Sequence, residues 1–246
     1  MKVWAGTSGY SYKEWLGNFY PDRLAAKEML RFYASRLPSV EINNTFYRLP
    51  KESILASWAQ QVPRGFRFAL KASQKITHVK RLKDTQAEVE YLFRAAAVLG
   101  TNLGAILFQL PPNLRKDLDR LQNFLSALPS QTAVAFEFRH PSWFEEDVFA
   151  CLRARDCALC VADTDVTENG NLVATATWGY LRLRRAEYSG ADLIEWKERI
   201  LTQRWNDTYV FFKHEDQGIG PKLASEFLNL LDTSKSQPTA PPGDAF

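Results

Sequence analysis

The sequence predicts an α/β protein with a single closed (β/α)8 barrel of the TIM type. Eight short apolar runs alternate with segments of helical periodicity, which is the pattern of parallel strands joined by helices. The chain has 246 residues, close to the usual size of such a barrel, about 250 residues. An open doubly wound sheet is the alternative, but no G-x-G-x-x-G or Walker-type loop follows any run. The closed barrel is therefore the better prediction.

The strands and helices are predicted from the apolar runs and from the segments between them. Strands are expected at 2–7, 39–44, 66–72, 104–110, 132–139, 158–164, 179–184 and 208–214. Helices are expected at 25–36, 52–61, 85–99, 114–127, 145–153, 190–203 and 221–231. In 85–99, for example, Val89, Leu92, Phe93 and Ala96 fall on one helical face.

Two segments depart from the βα pattern. The connection between the sixth and seventh strands contains Asn169-Gly170, a hairpin-type turn, and lacks helical periodicity, so an irregular segment is expected there. Residues 1–231 are expected to form the one barrel domain. The Pro- and Ser-rich segment 232–246 is expected to be a disordered tail.

Composition narrows the class of protein. Lys and Arg total 31 and Asp and Glu total 28, and this net charge of +3 is too small to indicate a nucleic-acid-binding protein by itself. The first residues lack the apolar core of a signal peptide, and no apolar run is long enough to span a membrane. A cytoplasmic protein without a membrane partner is therefore expected.

Polar residues recur at the carboxyl ends of the predicted strands. Residues two apart on a strand share one face, so the pairs would converge on the barrel mouth if that face is inward. They are Glu41 and Asn43, Lys71 and Ser73, Gln109, Glu137 and Arg139, Asp163 and Asp165, Arg182 and Arg184, and Lys213 and Glu215. The mouth is where TIM barrels build their sites, so these residues are the candidates for function.

Several motifs resemble the YecE-like family, a family of domains of unknown function (family 72). They are G-T-S-G-Y-S-Y-x-x-W-x-G-x-F-Y-P at 6–21, V-E-I-N-N-T-F-Y-R-L-P at 40–50, L-K-A-S-x-x-I-T-H at 70–78, L-F-Q-L-P-P at 107–112 and F-E-F-R-H-P-S-W at 136–143. The resemblance implies a TIM-type barrel, related in architecture to the xylose-isomerase and endonuclease-IV barrels. It implies no particular reaction. The chain departs from the family pattern after strands seven and eight, where it reads L-R-L-R-R and F-F-K-H-E-D-Q-G-I-G-P.

Acid–base catalysis on an anionic, phosphate-bearing or sugar-like small substrate is the leading functional hypothesis. Carboxylates and lysines gathered in one cleft are how pKa values are moved toward neutrality for proton transfer. Glu137 is the first choice as general acid or base and Lys71 as its electrostatic partner. The residues expected to act are Glu137, Lys71, Glu41 and Asp163 in catalysis, and Arg139, Arg182, Arg184, Lys213 and Gln109 in binding.

A structural role for the same charges is the alternative. The strand ends carry five cations, namely Lys71, Arg139, Arg182, Arg184 and Lys213, and five acids, namely Glu41, Glu137, Asp163, Asp165 and Glu215. Such a balance is also what a self-neutralising ring of ion pairs would show.

A second anion site is expected after the eighth strand. Gly218 and Gly220 precede Pro221, a favourable first residue of a helix, so backbone N–H groups could face an anion at the helix N-terminus. Arg184 and Arg185 would lie beside it. A turn that merely needs glycine explains the same residues.

Metal binding and nucleic-acid binding are the other functional classes that the sequence raises. The three histidines, His78, His140 and His214, follow strand ends, but the neighbouring cations would repel a metal ion, so neither a metal nor a cofactor is expected. The segment 71–83 carries five Lys or Arg and no acid. With the aromatic residues of the mouth loops, it supports the alternative of a nucleic-acid-binding protein or phosphodiesterase.

Overall fold

A closed barrel of eight parallel strands is the centre of the computed structural model, which describes residues 1–48, 51–165, 172–213 and 217–235, with side chains to residue 232. The strands are β1 Lys2–Ser8, β2 Ser39–Ile42, β3 Arg67–Lys71, β4 Leu103–Gln109, β5 Val134–Glu137, β6 Ala158–Asp163, β7 Gly179–Leu183 and β8 Asp207–Phe212. Each strand pairs with the next, and β8 pairs with β1. The predicted fold and all eight predicted strands are confirmed.

Helices surround the barrel at the predicted places. They are α1 Met29–Ala34, α2 Glu52–Gln61, α3 Gln86–Ala97, α4 Leu118–Ser126, α5 Glu146–Arg153, α6 Gly190–Leu201 and α7 Ile219–Lys235. The prediction began α4 four residues too early. The helix begins after Asp117, because the Asp117 carboxylate accepts a hydrogen bond from the N–H of Arg120 and so caps the first turn.

Helix α7 is longer than predicted at both ends. It begins at Ile219, two residues before Pro221, and it continues through Lys235, four residues into the segment expected to be a tail. The first proline of that segment is Pro238, so no residue before it removes a backbone donor that the helix needs. Residues 236–246 lie outside the described residues.

The connection between β6 and β7 contains no helix in its described parts, 164–165 and 172–178. The predicted Asn169-Gly170 turn lies outside the described residues. Thr175 fixes the returning chain, because its hydroxyl accepts from the N–H of Leu159 and donates to the carbonyl of Cys157.

Two hydrophobic cores position the barrel mouth. One fills the space between the strands and the helices and includes Phe108, Phe136 and Trp196. The other fills the barrel interior and includes Leu107, Tyr180 and Phe211. Because the interior is packed with side chains, polar groups on the inner strand faces collect above it, at the carboxyl ends of the strands. No helix of the described residues is long and apolar enough to cross a membrane.

Candidate active site

Arg182 lies at the centre of the barrel mouth and joins two carboxylates from opposite sides. It is buried, with 2% of its surface exposed, as are Glu41 (0%) and Glu137 (2%). Its Nη1 donates to Glu137 Oε2 at 2.5 Å, and its Nη2 and Nε donate to Glu41 Oε1 at 2.9 and 3.2 Å. The buried charges that the sequence placed in β2, β5 and β7 are therefore partners of one another.

Glu41 receives further hydrogen bonds from neighbouring strands. Ser8, its register partner on β1, donates to Oε1 at 2.7 Å, and the Tyr180 hydroxyl donates to Oε2 at 2.8 Å. Burial alone would raise the pKa of Glu41, but the Arg182 charge and these hydrogen bonds hold it below its usual range. Glu41 is thus an ionised carboxylate with donors on both oxygens.

Glu137 also accepts hydrogen bonds in addition to that from Arg182. Gln109, its register partner on β4, donates to Oε1 at 2.7 Å, and Arg139 Nε donates to that oxygen at 3.1 Å. Burial would raise the pKa of Glu137, but Arg182, Arg139 and the Gln109 hydrogen bond lower it to about 2. A carboxylate so firmly ionised is a weak base at neutral pH, which suits it to supporting Arg182.

A cavity of about 470 Å³ opens above this network. Its lining consists of Tyr12, Asn43, Phe46, Tyr47, Lys71, Gln74, His78, Gln109, Arg139, Arg182, Arg184 and Lys213. Five of these residues are Lys or Arg and none is Asp or Glu. With Glu41 and Glu137 beneath the cavity, the described mouth residues carry five positive and two negative charges, an excess of three positive charges.

Lys71 has a lowered pKa at the mouth cavity. Its Nζ lies 4.1 Å from the centroid of the Phe46 ring, on the inner face at the end of β3. Burial and the nearby Arg182 charge lower the pKa of Lys71 to about 8, and the opposing effects of Glu41 and Glu137 are smaller. Its amine can therefore exchange a proton near neutral pH.

Arg184 carries a donor that is not satisfied. Its Nε is buried and has no hydrogen-bond partner within the part of the chain that the structure describes. Burial and the Arg182 charge lower the pKa of Arg184. A buried donor without an acceptor costs about 1–3 kcal/mol, so an anion in the mouth cavity would meet an unpaired guanidinium there.

His78 lines the same cavity from the loop after β3. Its Nδ1 lies 2.8 Å from Thr77 Oγ1, and its ring packs edge-on against Phe46 with centroids 4.9 Å apart. Burial, followed by the charges of Lys71 and Arg139, lowers the pKa of His78. The imidazole is therefore neutral at pH 7.

Asp163 lies apart from this network, and the expectation that it joins Glu41 and Glu137 is wrong. On β6, Cys160 faces the barrel interior, so Asp163, three residues later, points outward toward α6. Its Oδ2 accepts from Arg185 Nε at 2.8 Å, Tyr188 Oη at 2.8 Å and Trp196 Nε1 at 3.1 Å.

The expected balance of five acids and five cations is not found among the described residues. Asp165 caps the backbone N–H of Ala186 outside the mouth, and Glu215 lies outside the described residues. Removing the outward acids of β6 from the count leaves the mouth cationic. A self-neutralising ring is therefore not what the described residues form.

Gly218 and Gly220 do not line the mouth cavity among the described residues. Gly218 has φ +75°, and a Cβ at this position would contact Asn18 and Phe19 of the loop after β1. Gly220 lies within the first turn of α7 rather than before it. Arg185, expected beside them, instead binds Asp163. The positive φ of Gly218 is reason enough for glycine there.

The histidines do not form a metal site in the described chain. His140 accepts from the N–H of Ser142 at the start of a short 3-10 turn, and His214 lies outside the described residues. Across ranges 1–48, 51–165, 172–213 and 217–235, no group of three or more His, Cys, Asp or Glu is placed to hold a metal ion.

The basic segment 71–83 does not present a continuous row of cations. Lys75 and Lys80 both bind Glu88 of α3, at 2.8 and 2.9 Å, while Lys71 points into the mouth cavity. Arg81 and Leu82 have positive φ angles of 51° and 68°, which non-glycine residues rarely adopt. Two of the five cations are thus paired with α3 rather than free for a nucleic-acid strand.

Three contributors to the site were not identified from the sequence. Tyr180 donates a hydrogen bond to Glu41. Its position two residues before Arg182 on the same strand indicates that both side chains share one face, and this could have identified it. Ser8 lies one residue beyond the predicted first strand. Gln74 lines the mouth cavity from the loop after β3, where no periodicity indicates direction.

Comparison with known proteins identifies the family. The pattern of the family described as "Protein of unknown function DUF72" matches residues 4–245. The chain belongs to the DUF72 family. It is 24% identical to UPF0759 protein YunF of Bacillus subtilis, covering 95% of this chain and 96% of that protein. It is 29% identical to UPF0759 protein YecE of Escherichia coli over 143 residues, which are 58% of this chain and 50% of YecE.

Solved structures give the same family and fold. A DUF72 family protein of Thermotoga maritima matches with a TM-score of 0.83 and 27% identity, over 94% of this chain and 100% of that chain. A fusion of a xylose isomerase-like TIM barrel with 4-hydroxyphenylpyruvate dioxygenase matches with a TM-score of 0.53 and 13% identity, over 98% of this chain and 46% of that chain. The second likeness shows the fold alone.

Proposed function

We propose that this DUF72 protein is an enzyme that binds a small anionic substrate, phosphate-bearing or sugar-like, in the mouth cavity. The observation that carries the proposal is a cavity lined by five cationic residues and, among the described residues, by no acid. The volume of about 470 Å³ suits a small molecule, because ligand cavities are typically about 300–1,000 Å³.

Arg139 and Arg184 are the groups that hold the anion. Arg139 lines the cavity, and among the described residues only its Nε has a hydrogen-bond partner, Glu137, so its two terminal nitrogens remain available. In the same part of the chain, Arg184 Nε is buried without a partner. Planar guanidinium groups bind phosphate and carboxylate with two parallel hydrogen bonds. Asn43 and Gln74, which also line the cavity, supply the neutral donors and acceptors that sugar hydroxyls need.

Lys71, rather than Glu137, is the proton-transferring group of this proposal. With a pKa of about 8, the amine accepts and returns a proton near physiological pH, whereas Glu137, with a pKa of about 2, stays ionised. Glu41 and Glu137 then act through Arg182, whose position they fix. The alternative of nucleic-acid binding stays a prediction, and the pairing of Lys75 and Lys80 with Glu88 counts against it.

Calorimetric titration with inorganic phosphate and with glucose 6-phosphate tests the anion site. Arg184→Met should weaken binding about tenfold or more, since a hydrogen bond to a charged group contributes about 1.5–3 kcal/mol. Arg64→Met is the matched control, because Arg64 is exposed and lies before β3, at the other end of the barrel. Equal affinity of the two variants, or no binding by wild type, would contradict the proposal.

A further inference from the structure

Lys71 has surroundings that other lysines of the chain lack. Lys75 and Lys80 both bind the Glu88 carboxylate. Within the described residues, Lys71 Nζ has neither a carboxylate partner within ion-pair distance nor a hydrogen bond, and it lies 4.1 Å from the centroid of the Phe46 ring. Its amine is therefore not tied to an acid, and it points into a cavity built for an anion.

The chemistry of such an amine extends beyond proton transfer. Because its pKa is lowered from 10.5 to about 8, Lys71 carries a free lone pair at pH 7 far more often than an ordinary lysine does. A partly desolvated lysine next to another cation is the form that attacks carbonyl carbon atoms and makes Schiff bases. Arg182 is that neighbouring cation, and Glu41 and Glu137 fix it in place.

We propose that Lys71 forms an imine with a small aldehyde or ketone that carries a phosphate or carboxylate group. The proposal rests on the proposed function, because Arg139 and Arg184 must hold the anionic group while the carbonyl reaches Nζ. Both arginines line the same cavity as Lys71. The substrate class is thus an anionic carbonyl compound small enough for about 470 Å³.

The step balances with the groups present. The Nζ lone pair forms a bond to the carbonyl carbon, the π electrons of the C=O bond move to oxygen, and one Nζ proton is transferred to that oxygen. The resulting carbinolamine loses its hydroxyl group together with the second Nζ proton as water, which leaves a C=N bond. Neither an oxidant nor a reductant is needed.

His78 is placed to carry the protons of this step. Lys71 and His78 contact the same Phe46 ring and line the same cavity. Thr77 occupies Nδ1 of His78, so Nε2 is the nitrogen left for the cavity. A neutral imidazole beside the amine can take a proton from nitrogen and deliver it to oxygen.

Borohydride trapping tests the imine. Wild-type protein is incubated with glycolaldehyde phosphate, glyoxylate or uncharged glycolaldehyde, then with sodium borohydride, which reduces a C=N bond to a stable amine. Intact mass and peptide mapping locate the adduct. We expect one adduct, on Lys71. An anionic probe should give this adduct at a concentration about tenfold lower than glycolaldehyde needs. The anionic probe that reacts distinguishes phosphate from carboxylate, and excess inorganic phosphate should prevent the reaction.

Mapping in the wild type makes the test independent of whether any variant folds. Lys71→Arg should abolish the adduct and retain phosphate binding in calorimetry, whereas Lys27→Arg, at an exposed position, should change neither. Modification spread over exposed lysines without preference for Lys71 would overturn the imine. Equal reaction with glycolaldehyde would overturn the anionic substrate class.

Failure of this inference is distinguishable from failure of the proposed function. If phosphate binds and Arg184→Met weakens it, but Lys71 stays unmodified, the imine is refuted and the anion site stands. If phosphate does not bind and neither anionic probe modifies Lys71, both are refuted.

Discussion

Glu137→Gln should destabilise the protein, because both oxygens of Glu137 accept hydrogen bonds. Oε1 accepts from Gln109 and Arg139, and Oε2 accepts from Arg182. An amide has one oxygen and one NH₂ group, so either orientation directs the NH₂ at a donor. The substitution also leaves Arg182 with one carboxylate instead of two in a buried site.

The magnitude follows from the pKa of Glu137. A decrease from 4.5 to about 2 corresponds to about 3 kcal/mol at about 1.4 kcal/mol per pKa unit, similar to the 3–5 kcal/mol typical of breaking a buried ion pair. Because the folded pKa is the lower one, this stabilisation is fully present above pH 4.5 and is lost as the pH falls toward 2. At neutral pH we expect a Tm about 6–12 °C lower, since 1 kcal/mol shifts Tm by about 2–4 °C in a chain of this size.

Thermal melts of the wild type and Glu137→Gln at pH 7 measure this effect, with Glu145→Gln as the control. Glu145 pairs with Lys116 at the surface, and exposed pairs contribute little. An unchanged or raised Tm for Glu137→Gln would refute the reasoning. Glu137 would then not be a firmly paired support for Arg182, and the catalytic role suggested by the sequence would regain support.

Two further predictions concern Lys71 and the basic segment. The pKa of Lys71 is lowered from 10.5 to about 8, so between these pH values the folded state binds fewer protons than the unfolded state. The free energy of unfolding of the wild type should therefore rise with pH from about 8 to 10.5. Lys71→Met should not show this rise. At pH 7, urea unfolding should show Lys71→Met to be more stable by up to about 3 kcal/mol, and a less stable variant would contradict this. If the nucleic-acid alternative holds, oligonucleotide affinity should fall about tenfold or more between 50 and 200 mM salt, and further on replacing Lys80, Arg81 and Lys83 with Ala. Absence of binding at low salt would exclude it.

The sequence predicts the barrel well because each strand is a local signal. Each predicted apolar run overlaps its strand, and only β1, β4 and β8 extend beyond their runs, each by one residue. Glu41, Lys71, Glu137 and Arg182 share the mouth because residues two apart on a strand face the same side. The sequence cannot say that Arg182 crosses the barrel to reach both carboxylates, because that contact joins residues 141 and 45 positions apart.

Asp163 shows where the sequence reasoning stops. In a parallel barrel both faces of a strand are buried, so β6 reads as a continuous apolar run without the alternation that would identify its inner face. The donors to Asp163 Oδ2 are Arg185, Tyr188 and Trp196, which lie 22, 25 and 33 residues later. Only the closed sheet decides that Cys160 is inside and Asp163 outside.

The titration of Lys71 in the presence and absence of inorganic phosphate tests the central claim most directly. Reductive ¹³C-methylation gives each lysine an NMR resonance, and Lys71→Arg assigns the one of interest. The account predicts a resonance that titrates at a pH of about 8 and moves to higher pH when phosphate is added, because a bound anion favours the ammonium form. A Lys71 resonance that titrates near 10.5 and does not respond to phosphate would contradict it.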